Sequence, residues 1–348
     1  MPAAAKNSMI LLTGASGYLA AHVGRQLLQA GHKVRGTVRS KAKGEYLQKL
    51  YADEGLNEFE YVIVEDVEPE GAFDEAVKGV DGIAHTASPF HFNVQDPHKD
   101  LINPAVNGTQ SILKSASKEP KVQRIVITSS FASIVNPRDP VHTYNEEEWN
   151  EYSPKQVEQH GKDTEPSQSY RASKVLAEKS AWKFVKDNDS TFDLVTICPP
   201  LILGPIIHDC TDPKSLNTSC AGFNAFLQGQ KKPEDAESFA GFYVDVRDVA
   251  QIHVDALTTP EAGGNRFIVS HEAFCWQNLL DVLFSNDKHK DLADKFPKAV
   301  QGTAGSQLDK SKTNILDASK AQKVFGWKPI DKEKTVVDMA QSFAAKLK

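Results

Sequence analysis

Tyr170 and Lys174 have a spacing that can do chemistry. They lie four residues apart in a segment whose apolar and small positions, 175–177 and 181–182, fit a helix. Their side chains would therefore share one face, about one turn apart. A free tyrosine, with a pKa of about 10, is a poor proton relay at neutral pH, but a neighbouring cation favours its phenolate. The pair predicts a tyrosine that acts as an acid or base, with the lysine lowering its pKa.

Ser130 follows a predicted strand over 124–128 and places a hydroxyl at the end of that strand. In the reduction of a carbonyl group, this hydroxyl would hold the oxygen while Tyr170 donates its proton. A Y-x-x-x-K spacing is common, and a core tyrosine beside a solvated lysine is the simpler interpretation of that spacing alone. We favour Ser130, Tyr170 and Lys174 as a catalytic set because a glycine-rich turn precedes them in the required order.

That turn lies in the segment 9–20, where an apolar run of strand character stops and continues as a helix. Gly14 permits the sharp turn, Gly17 lets a pyrophosphate approach the backbone, and Ala20 lets the helix pack close to the strand. The helix would direct free N–H groups and the positive end of its dipole at the pyrophosphate. The candidate contacts are Gly14, Ala15, Ser16, Gly17, Tyr18 and Leu19. An ordinary strand-to-helix turn could have the same glycines.

The second predicted strand, 33–38, leads into a segment that indicates which dinucleotide binds. Folds of this kind that prefer NAD have an acidic residue about 20 positions after the first glycine, which binds the ribose hydroxyls. This region has no acid and contains Arg35, Arg39, Lys41 and Lys43. The sequence therefore predicts NADPH or NADP+, whose 2′-phosphate a basic segment attracts, although a solvated basic loop would look the same. An oxidised nicotinamide would also favour the Tyr170 phenolate, and Lys174 would hydrogen-bond to the nicotinamide ribose.

Small or polar residues follow two more predicted strands. The strand 60–64 leads to Asp66 and Val67, a short side chain and an apolar neighbour that could hold the adenine ring. The buried strand 82–87 ends in residues small enough for a ligand to pass close to the backbone. They are Thr86, Ala87 and Ser88. Ligands of parallel sheets bind at the carboxyl ends of the strands, so these residues belong to the same predicted site.

The repeated order of strands and helices predicts the fold class. Helices are expected around 72–78 and over about 100–117, and a further strand over 193–198, without the signal of a tandem hairpin. We therefore expect an α/β protein, a Rossmann-type doubly wound parallel sheet with a smaller C-terminal substrate lobe.

The predicted domain boundary lies where the alternation of strands and helices ends, after residue 203. Residues 1–203 are assigned to an NADP-binding Rossmann domain, to which 240–269 returns. Residues 204–239 and 270–326 would form the substrate-binding lobe over the nicotinamide end, and 327–348 would contain a closing C-terminal helix.

Composition narrows the class of partner. The chain has 348 residues, of which 40% are hydrophobic and 25% charged, and its net charge of −6 argues against binding to nucleic acid. Its apolar runs are strand-sized and its first residues lack the apolar core of a signal peptide, which predicts no contact with a membrane. The four cysteines form no C-x-x-C pair and the histidines have no metal-binding spacing, so we expect reduced cysteines, no metal and a cytoplasmic location.

Three motifs carry a resemblance to a known family over nearly the whole chain. Thr13-Gly14-x-x-Gly17-x-x-Ala20, Thr128-Ser129-Ser130 and Tyr170-x-x-x-Lys174 resemble the motifs of the extended short-chain dehydrogenase/reductases. The stretches 85–90, 104–108, 216–220 and 244–250 are similar to a branch that contains dihydroflavonol reductases and cinnamoyl-CoA reductases. The similarity is greatest to the fungal NADPH-dependent methylglyoxal and ketone reductases.

The resemblance implies roles for particular residues. The residues are Ser130, Tyr170 and Lys174 as the triad, Arg39 and Lys43 on the 2′-phosphate, Pro199 and Ile202 beside the nicotinamide, and Ser219 near the phosphates. The fungal relatives tend to have an aromatic residue after the catalytic serine and another two residues past the proline. This chain has Phe131 at the first position but Leu201 at the second, so their substrates cannot be carried over.

The sequence favours an NADPH-dependent carbonyl reductase that converts an aldehyde or a ketone to an alcohol. Phe90, Phe92 and Phe131 are candidate walls of its substrate pocket, although they could equally be core aromatics. One alternative is a nucleotide-sugar epimerase or dehydratase of the same superfamily, but the second lobe has few arginines for a sugar diphosphate. The other is a non-catalytic NADPH-binding protein. The sequence leaves open whether the protein is a monomer or a homodimer.

Overall fold

The computed structural model describes residues 4–88, 94–138, 141–285, 287–306 and 308–348. In these residues the strands are β1 (Met9–Thr13), β2 (Lys33–Val38), β3 (Phe59–Ile63), β4 (Gly82–His85), β5 (Arg124–Thr128), β6 (Thr143–Tyr144), β7 (Asp193–Cys198), β8 (Leu201–Leu203), β9 (Phe239–Asp245), β10 (Asn265–Ile268), β11 (Glu272–Cys275) and β12 (Ile315–Leu316). The α-helices are α1 (Tyr18–Gln29), α2 (Lys41–Ala52), α3 (Asn103–Ala116), α4 (Tyr152–His160), α5 (Pro166–Asp187), α6 (Thr218–Leu227), α7 (Val246–Thr258), α8 (Trp276–Phe284), α9 (Lys290–Ala293), α10 (Ser319–Phe325) and α11 (Lys332–Lys346). None of these described helices is long and apolar enough to cross a membrane.

Seven strands form one parallel sheet, in the order β10-β7-β5-β4-β1-β2-β3. The chain builds the sheet outward from β1 to β3 and then crosses to the other side of β1, so β1 pairs with both β2 and β4. Where the strand order reverses in such a sheet, a crevice opens at the carboxyl ends of the strands. The predicted Rossmann-type doubly wound sheet is confirmed, and its switch point lies between β1 and β4.

The alternation of side chains along β1 explains how two layers of helices are held on the sheet. Ile10 and Leu12 belong to a core shared with α1 and α7, whereas Leu11 belongs to the opposite core, shared with α3. All three side chains are fully buried, as expected for a strand covered on both faces. The sheet is therefore the middle of three layers, and a ligand can reach it at the ends of its strands.

The segment 72–78 is not the helix that the sequence predicts. It forms a series of turns between Gly71 and Gly79, whose φ angles are +83° and +73°. Hydrogen bonds of three-residue and four-residue spacing are mixed within it. Two glycines in a conformation that ends a helix leave no more than about two helical turns between them, which is too short a helix to be stable.

Three other helices also differ from the sequence-based expectation. α3 begins after a π-type turn over His98–Ile102 rather than near residue 100. α2 and α4 have weak apolar patterns, which the sequence interpretation does not recognise as helices. In α4 the buried residues are Ser153 and Val157, so little apolar surface marks its inner face.

A smaller lobe forms around a three-stranded sheet in the order β11-β9-β8. β8 runs parallel to β9, and β11 runs antiparallel to it. The core of this lobe contains Phe223 of α6, Leu280 of α8 and Phe343 of α11. Residues 201–203 and 240–245, which the sequence assigns to the larger domain, are thus strands of the small sheet. β10 returns to the main sheet beside β7.

The last helix, α11, is fixed to the smaller lobe by polar side chains. The Thr335 hydroxyl donates a 2.8 Å hydrogen bond to Asp245 Oδ2, at the end of β9. Arg247, at the start of α7, bonds to Asp245 at 2.7 Å and also to Asp338 of α11. Because Asp245 is buried, these bonds fix the junction of β9 and α7 against the closing helix.

Candidate active site

The side chain of Thr13 joins the carboxyl ends of β1 and β4. Its hydroxyl oxygen accepts hydrogen bonds from the backbone N–H groups of Thr86, at 3.1 Å, and Ala87, at 3.2 Å. It also lies 2.8 Å from Nδ1 of His85. The Thr86 hydroxyl donates in return to the Thr13 carbonyl at 2.5 Å. Two of the predicted cofactor contacts, Thr86 and Ala87, are therefore held beside the glycine-rich turn.

Gly14 occupies a place that a side chain could not fill. Its φ angle is +64°, and a Cβ atom there would lie 3.1 Å from the Cα and Cβ atoms of Ala87. Its N–H donates to the Thr37 hydroxyl at 3.0 Å, and the N–H of buried Ala15 donates to the Thr37 carbonyl at 2.9 Å. The turn is thus held by β2 on one side and by the end of β4 on the other.

The start of α1 can receive an anion. Gly17 is exposed and has no side chain with which to cap the helix, so the N–H groups of the first turn are available to a ligand. Ser16 and Leu19 are partly buried beside it. Tyr18 points away, because its buried hydroxyl donates to the Gly204 carbonyl at 3.0 Å, and only its backbone faces the turn. The exposed backbone of the glycine-rich turn and the free N–H groups of this first helical turn together fit a pyrophosphate.

Two of the four basic residues in the segment 35–43 have an acidic partner within 3.5 Å. Arg35 donates to Glu60 Oε1 at 2.6 Å and to two backbone carbonyls. Glu60 lies directly opposite Arg35 in the pairing of β2 with β3, which the sequence alone does not reveal. Lys41 lies 3.4 Å from Glu45, one turn further along α2. Neither Arg35 nor Lys41 therefore offers an unpaired charge to a ligand.

Arg39 and Lys43 lie near the carboxyl end of β2, and their contact with a 2′-phosphate stays a prediction. Arg39 is exposed just after β2, and Lys43 lies in the first turn of α2 with its ammonium 3.9 Å from Asp209 Oδ2 of the smaller lobe. The carboxyl end of the second strand is where such sheets bind the adenosine ribose. Two accessible cations at this point fit a 2′-phosphate.

Asp66 and Val67 follow β3 at the next strand end. Asp66 is exposed, and its Oδ1 accepts a 2.9 Å hydrogen bond from the N–H of Glu68. Val67 packs against α3, where a Cβ atom on Gly108 would lie 3.2 Å from Val67 Cγ2. The absence of a side chain at Gly108 therefore gives Val67 room against the helix. Their contact with adenine stays a prediction.

The residues that the resemblance places near the nicotinamide and the phosphates lie in the second half of the chain. Pro199 follows β7, and its carbonyl accepts a 3.0 Å hydrogen bond from the N–H of Phe131. Ile202 lies on β8 and is paired with Val244, and Ser219 lies in the first turn of α6. Pro199 is thereby tied to the turn after β5, whereas the ligand contacts of all three residues stay predictions.

The serine-containing turn after β5 is closely fixed. The N–H of Ser129 donates to the Ile197 carbonyl at 2.8 Å, which extends the pairing of β5 with β7. Ser130 precedes a single 3₁₀ turn over Phe131–Ser133, and its Oγ accepts a 3.1 Å hydrogen bond from the N–H of Ala132. The Ser130 hydroxyl is therefore held at the carboxyl edge of the sheet, with its own proton available to another acceptor.

Tyr170 and Lys174 lie on α5, which begins at Pro166 and so places them beyond its first turn. The Ser130 side chain lies close enough to Tyr170 to lower the pKa of its phenol. Lys174 Nζ is 6.0 Å from the centre of the Tyr170 ring and donates a 3.0 Å hydrogen bond to Ser88 Oγ. The structure therefore brings together the three predicted catalytic side chains and one predicted cofactor contact, Ser88.

Burial dominates the protonation of this pair. It raises the pKa of Tyr170 to about 12, although the Ser130 side chain and the charge of Arg171 oppose the effect. Burial also lowers the pKa of Lys174 to about 8, against the opposing charge of Glu178. The predicted lowering of the tyrosine pKa by Lys174 is not found, because desolvation of the phenolate is the larger effect and the cation acting on the phenol is Arg171. Tyr170 is protonated at neutral pH.

Of the three candidate pocket walls, Phe131 lies beside the serine turn. The Phe131 ring is edge-on to the Phe242 ring, with 6.5 Å between the ring centres. Arg171 Cζ lies 5.5 Å from the centre of the Phe131 ring. Phe131 is only partly buried. Phe90 and Phe92 lie outside the described residues.

The sequence interpretation assigns no role to two further residues at the site. Thr13 joins β1 to β4, and Glu178 accepts a 2.6 Å hydrogen bond from the Ser129 hydroxyl beneath the serine turn. A signal for Glu178 does exist in the sequence, because Tyr170, Lys174 and Glu178 repeat at intervals of four residues and so lie on one face of α5.

Comparison with known proteins gives the family. The NAD dependent epimerase/dehydratase family matches residues 10–270. This chain belongs to that family. A ketoreductase of Aspergillus niger is 37% identical to it over 328 residues, which are 91% of this chain and 92% of that protein. An NADPH-dependent methylglyoxal reductase of Saccharomyces cerevisiae is 34% identical over 342 residues, or 95% and 96% of the two chains.

A solved structure extends the family likeness to three dimensions. Gre2 of Candida albicans, solved in complex with NADPH, superposes with a TM-score of 0.86 at 35% identity. The match covers 97% of this chain and 99% of that one. The predicted resemblance to the extended short-chain dehydrogenase/reductases, and within them to fungal methylglyoxal and ketone reductases, is confirmed.

Proposed function

We propose that this protein is an NADPH-dependent carbonyl reductase that converts an aldehyde or a ketone to the alcohol. The observation that carries the proposal is that Ser130, Tyr170 and Lys174 lie together at the strand ends, next to the glycine-rich turn. Relatives named as ketoreductase and as methylglyoxal reductase support the same reaction class.

NADPH, when bound, supplies the hydride, and the chain's own residues handle the carbonyl oxygen. Ser130 orients that oxygen by donating its hydroxyl proton in a hydrogen bond. Tyr170, which is protonated at neutral pH because burial raises its pKa to about 12, donates its proton to the same oxygen. The phenolate that remains is stabilised by Ser130 and by the positive charge of Arg171.

NADPH is the proposed cofactor because two cations stand at the end of β2. Arg39 and Lys43 would bind the 2′-phosphate, the first turn of α1 the pyrophosphate, and Lys174 the nicotinamide ribose. Relatives named as NADPH-dependent, and one solved with NADPH, support this choice over NADH.

The proposed substrate is an apolar or aromatic carbonyl compound. Phe131, next to the catalytic serine, is followed by Phe242 and then by half-exposed Phe239, whose ring centres are 6.5 Å and 5.6 Å apart in turn. Phe242 and Phe239 belong to β9 of the smaller lobe, which supports the assignment of that lobe to substrate binding. A row of aromatic rings that leads outward from Ser130 favours aryl or alkyl groups on the carbonyl carbon.

The test measures NADPH absorbance with a panel of ketones, aldehydes and sugar nucleotides. Consumption of NADPH with formation of the alcohol supports the proposal. Conversion of a sugar nucleotide without net consumption would identify an epimerase or dehydratase instead. Binding of NADPH without turnover of any compound would leave only a non-catalytic NADPH-binding protein.

We also propose a reducing compartment, the cytoplasm, for this protein. Cys198, Cys210, Cys220 and Cys275 are all free and buried, which is usual where thiols stay reduced. Fractionation of cells that express the chain with a small tag tests the proposal, and recovery in a membrane or secreted fraction would contradict it.

A further inference from the structure

A cluster of buried polar side chains lies behind the proposed triad. Its centre is Glu178, which follows Lys174 by one turn of α5 and is 2% exposed. Its carboxylate is paired with Arg266 of β10, whose Nε donates to Glu178 Oε1 at 2.8 Å. Burial alone would raise the pKa of Glu178, but the charge of Arg266 and the surrounding hydrogen bonds lower it below its ordinary value. Glu178 is therefore a buried carboxylate anion.

The carboxylate of Glu178 holds the serine turn from below. Ser129 Oγ donates to Glu178 Oε2 at 2.6 Å, and Ser133 Oγ donates to the same oxygen at 2.5 Å. These two residues flank Ser130, the proposed catalytic serine. One oxygen of one side chain on α5 thus fixes both ends of the turn that carries Ser130.

Glu178 is itself fixed by residues from several elements. Thr196 of β7 donates to its Oε1 at 2.7 Å. Nη1 of Arg266 donates to the carbonyls of Glu146 and Glu148, each at 2.7 Å, and its guanidinium lies 3.7 Å from the centre of the Trp149 ring. Its Nη2 donates to Ser133 Oγ and to Glu178 Oε2, each at 3.2 Å. A carboxylate that is held on so many sides cannot adjust its position without moving the turn.

The charge of Glu178 also acts on Lys174. The groups that face the Lys174 ammonium from the packed elements are Tyr170 and Glu178 on α5, Ser88 and His85 at β4, and Cys198 at the end of β7. Burial lowers the pKa of His85 to about 3 and raises the pKa of Cys198 to about 12, so both are neutral at pH 7. Among these groups Glu178 is the one that carries a negative charge at neutral pH, and it favours the protonated lysine.

We propose that Glu178 is a positioning residue for the reduction, which holds the Ser130 turn against α5 and keeps Lys174 protonated through its charge. The inference rests on the proposed function, because it assigns Glu178 to the same site. Glu178 does not touch the reacting atoms, and it acts through Ser129, Ser133 and Lys174.

The same sheet offers a matched control. Arg124 and Asp193 form a second ion pair, with Arg124 Nε 2.6 Å from Asp193 Oδ1 and the Arg124 side chain fully buried. They are the first residues of β5 and β7, whereas the proposed triad lies past the carboxyl ends of the strands. A variant of this pair also removes one partner of a buried salt bridge, but it leaves the surroundings of Lys174 unchanged.

The first experiment compares pH profiles of kcat/KM for NADPH-dependent reduction of a ketone. Glu178→Gln removes the charge and keeps much of the shape, whereas Glu178→Asp keeps the charge. In the proposed function the Lys174 ammonium binds the nicotinamide ribose, so we expect activity to fall as the pH rises through the lysine pKa. We expect this alkaline limb to move to lower pH by about one unit in Glu178→Gln, and by much less in Glu178→Asp and in the control Asp193→Asn. An unmoved limb in Glu178→Gln, or an equal shift in Asp193→Asn, overturns the proposal.

A second measurement separates this inference from the proposed function. The pKa of Lys174 is read by NMR from the side-chain carbons of labelled lysine, with the resonance assigned by Lys174→Arg, and no carbonyl compound is needed. A lower lysine pKa in Glu178→Gln supports the inference even if the wild type reduces no carbonyl compound. An unchanged pKa overturns it even if the wild type is an active reductase.

Glu178→Gln leaves the buried charge of Arg266 without its partner, which could prevent folding. If that variant does not fold, a double variant takes its place. Glu178→Gln/Arg266→Met removes both charges, and the same fall in the Lys174 pKa is expected.

Ser129→Ala/Ser133→Ala isolates the role of the two hydroxyls. We expect kcat to fall about tenfold because Ser130 loses its support, while the pH at which activity declines on the alkaline side stays unchanged. An unchanged kcat in that variant contradicts the positioning of Ser130 by Glu178.

Discussion

The two ends of the main sheet hold the same kind of buried ion pair in different surroundings. At the carboxyl end, Glu178 binds Arg266, and at the amino end Arg124 binds Asp193. In each pair an arginine Nε donates to a carboxylate at less than 3 Å, and the second member lies on another element of the fold. The difference lies in what else each pair touches.

The amino-terminal pair binds only to the framework. Arg124 and Asp193 stand opposite each other in the pairing of β5 with β7. The remaining donors of Arg124 bind the carbonyls of Ala256, at 2.9 Å, of Thr259, and of Pro260, at 3.3 Å, near the end of α7. The pair thereby fastens two strands to the carboxyl end of a helix, where a cation is favourable.

The carboxyl-terminal pair binds to the candidate site. Glu178 accepts hydrogen bonds from the hydroxyls of Ser129 and Ser133, which flank Ser130, and it favours the charged form of Lys174. In a parallel sheet the ligand crevice lies at the carboxyl ends of the strands. The position of a buried charge along the strands, rather than its chemistry, therefore decides whether it supports only the fold or also the reaction.

The largest effect that the comparison predicts is at Tyr170. Tyr170→Phe removes the proposed proton donor, so kcat should fall by about 10²- to 10⁴-fold while the Kd for NADPH changes little. Steady-state rates and a fluorescence titration of NADPH measure the two quantities. Tyr152→Phe, on the exposed start of α4, is the control and should keep the wild-type rate. Full activity in Tyr170→Phe would show that the proton donor is not at this end of the sheet.

Asp193→Asn tests the opposite end. Loss of one partner leaves buried Arg124 without its counter-charge, so the free energy of unfolding should fall by about 3 kcal/mol. Denaturant unfolding measures the loss, and assays well below the unfolding transition should give the wild-type kcat. If kcat fell together with stability, the proposed separation between the two ends would be wrong.

Arg39→Ala tests the cofactor side of the carboxyl edge. We expect a loss of about 1.5 to 3 kcal/mol in NADPH binding, which is the usual contribution of a charged hydrogen bond, and almost no change for NADH. Binding titrations with both cofactors measure the difference, and Lys33→Ala, at the amino end of the same strand, is the matched control. Equal losses for NADPH and NADH would place the 2′-phosphate elsewhere.

Phe131→Ala should have the smallest of these effects. Loss of one aromatic wall is expected to raise the KM for an aryl ketone by about tenfold, or about 1.4 kcal/mol, and to change the KM for a small aliphatic aldehyde much less. Both constants come from the same NADPH assay. Equal changes for the two substrates would make Phe131 a packing residue rather than part of the substrate pocket.

Much of the main sheet could be predicted from the sequence, because each of its strands is a short apolar run bounded by polar or small residues. β2, β5 and β7 occupy the residues expected for them, and the catalytic candidates lie after the strand and on the helix that the motifs indicate. The turns at 72–78 could not be predicted in the same way. There an apolar helical pattern competes with two glycines, and the glycine conformations decide the outcome.

Pairing across strands and the depth of burial set the limit of the sequence-based interpretation. Arg35 resembles a phosphate ligand until the register of β2 with β3 places Glu60 opposite it. The pKa of Tyr170 depends on burial by the surrounding elements, which a four-residue spacing to Lys174 does not reveal. The role of Glu178 depends on its ion pair with Arg266, which is distant from it in the chain and so is not visible in the sequence.

The most direct test of the central claim follows the hydride into the product. The protein is supplied with a ketone and with NADPH that carries deuterium at both C4 positions of the nicotinamide, and the alcohol is analysed by mass spectrometry and NMR. The account predicts one deuterium on the carbinol carbon of each alcohol formed by the wild type, and almost no product with Tyr170→Phe in the same time. An alcohol without deuterium, or an equal yield from Tyr170→Phe, would contradict it.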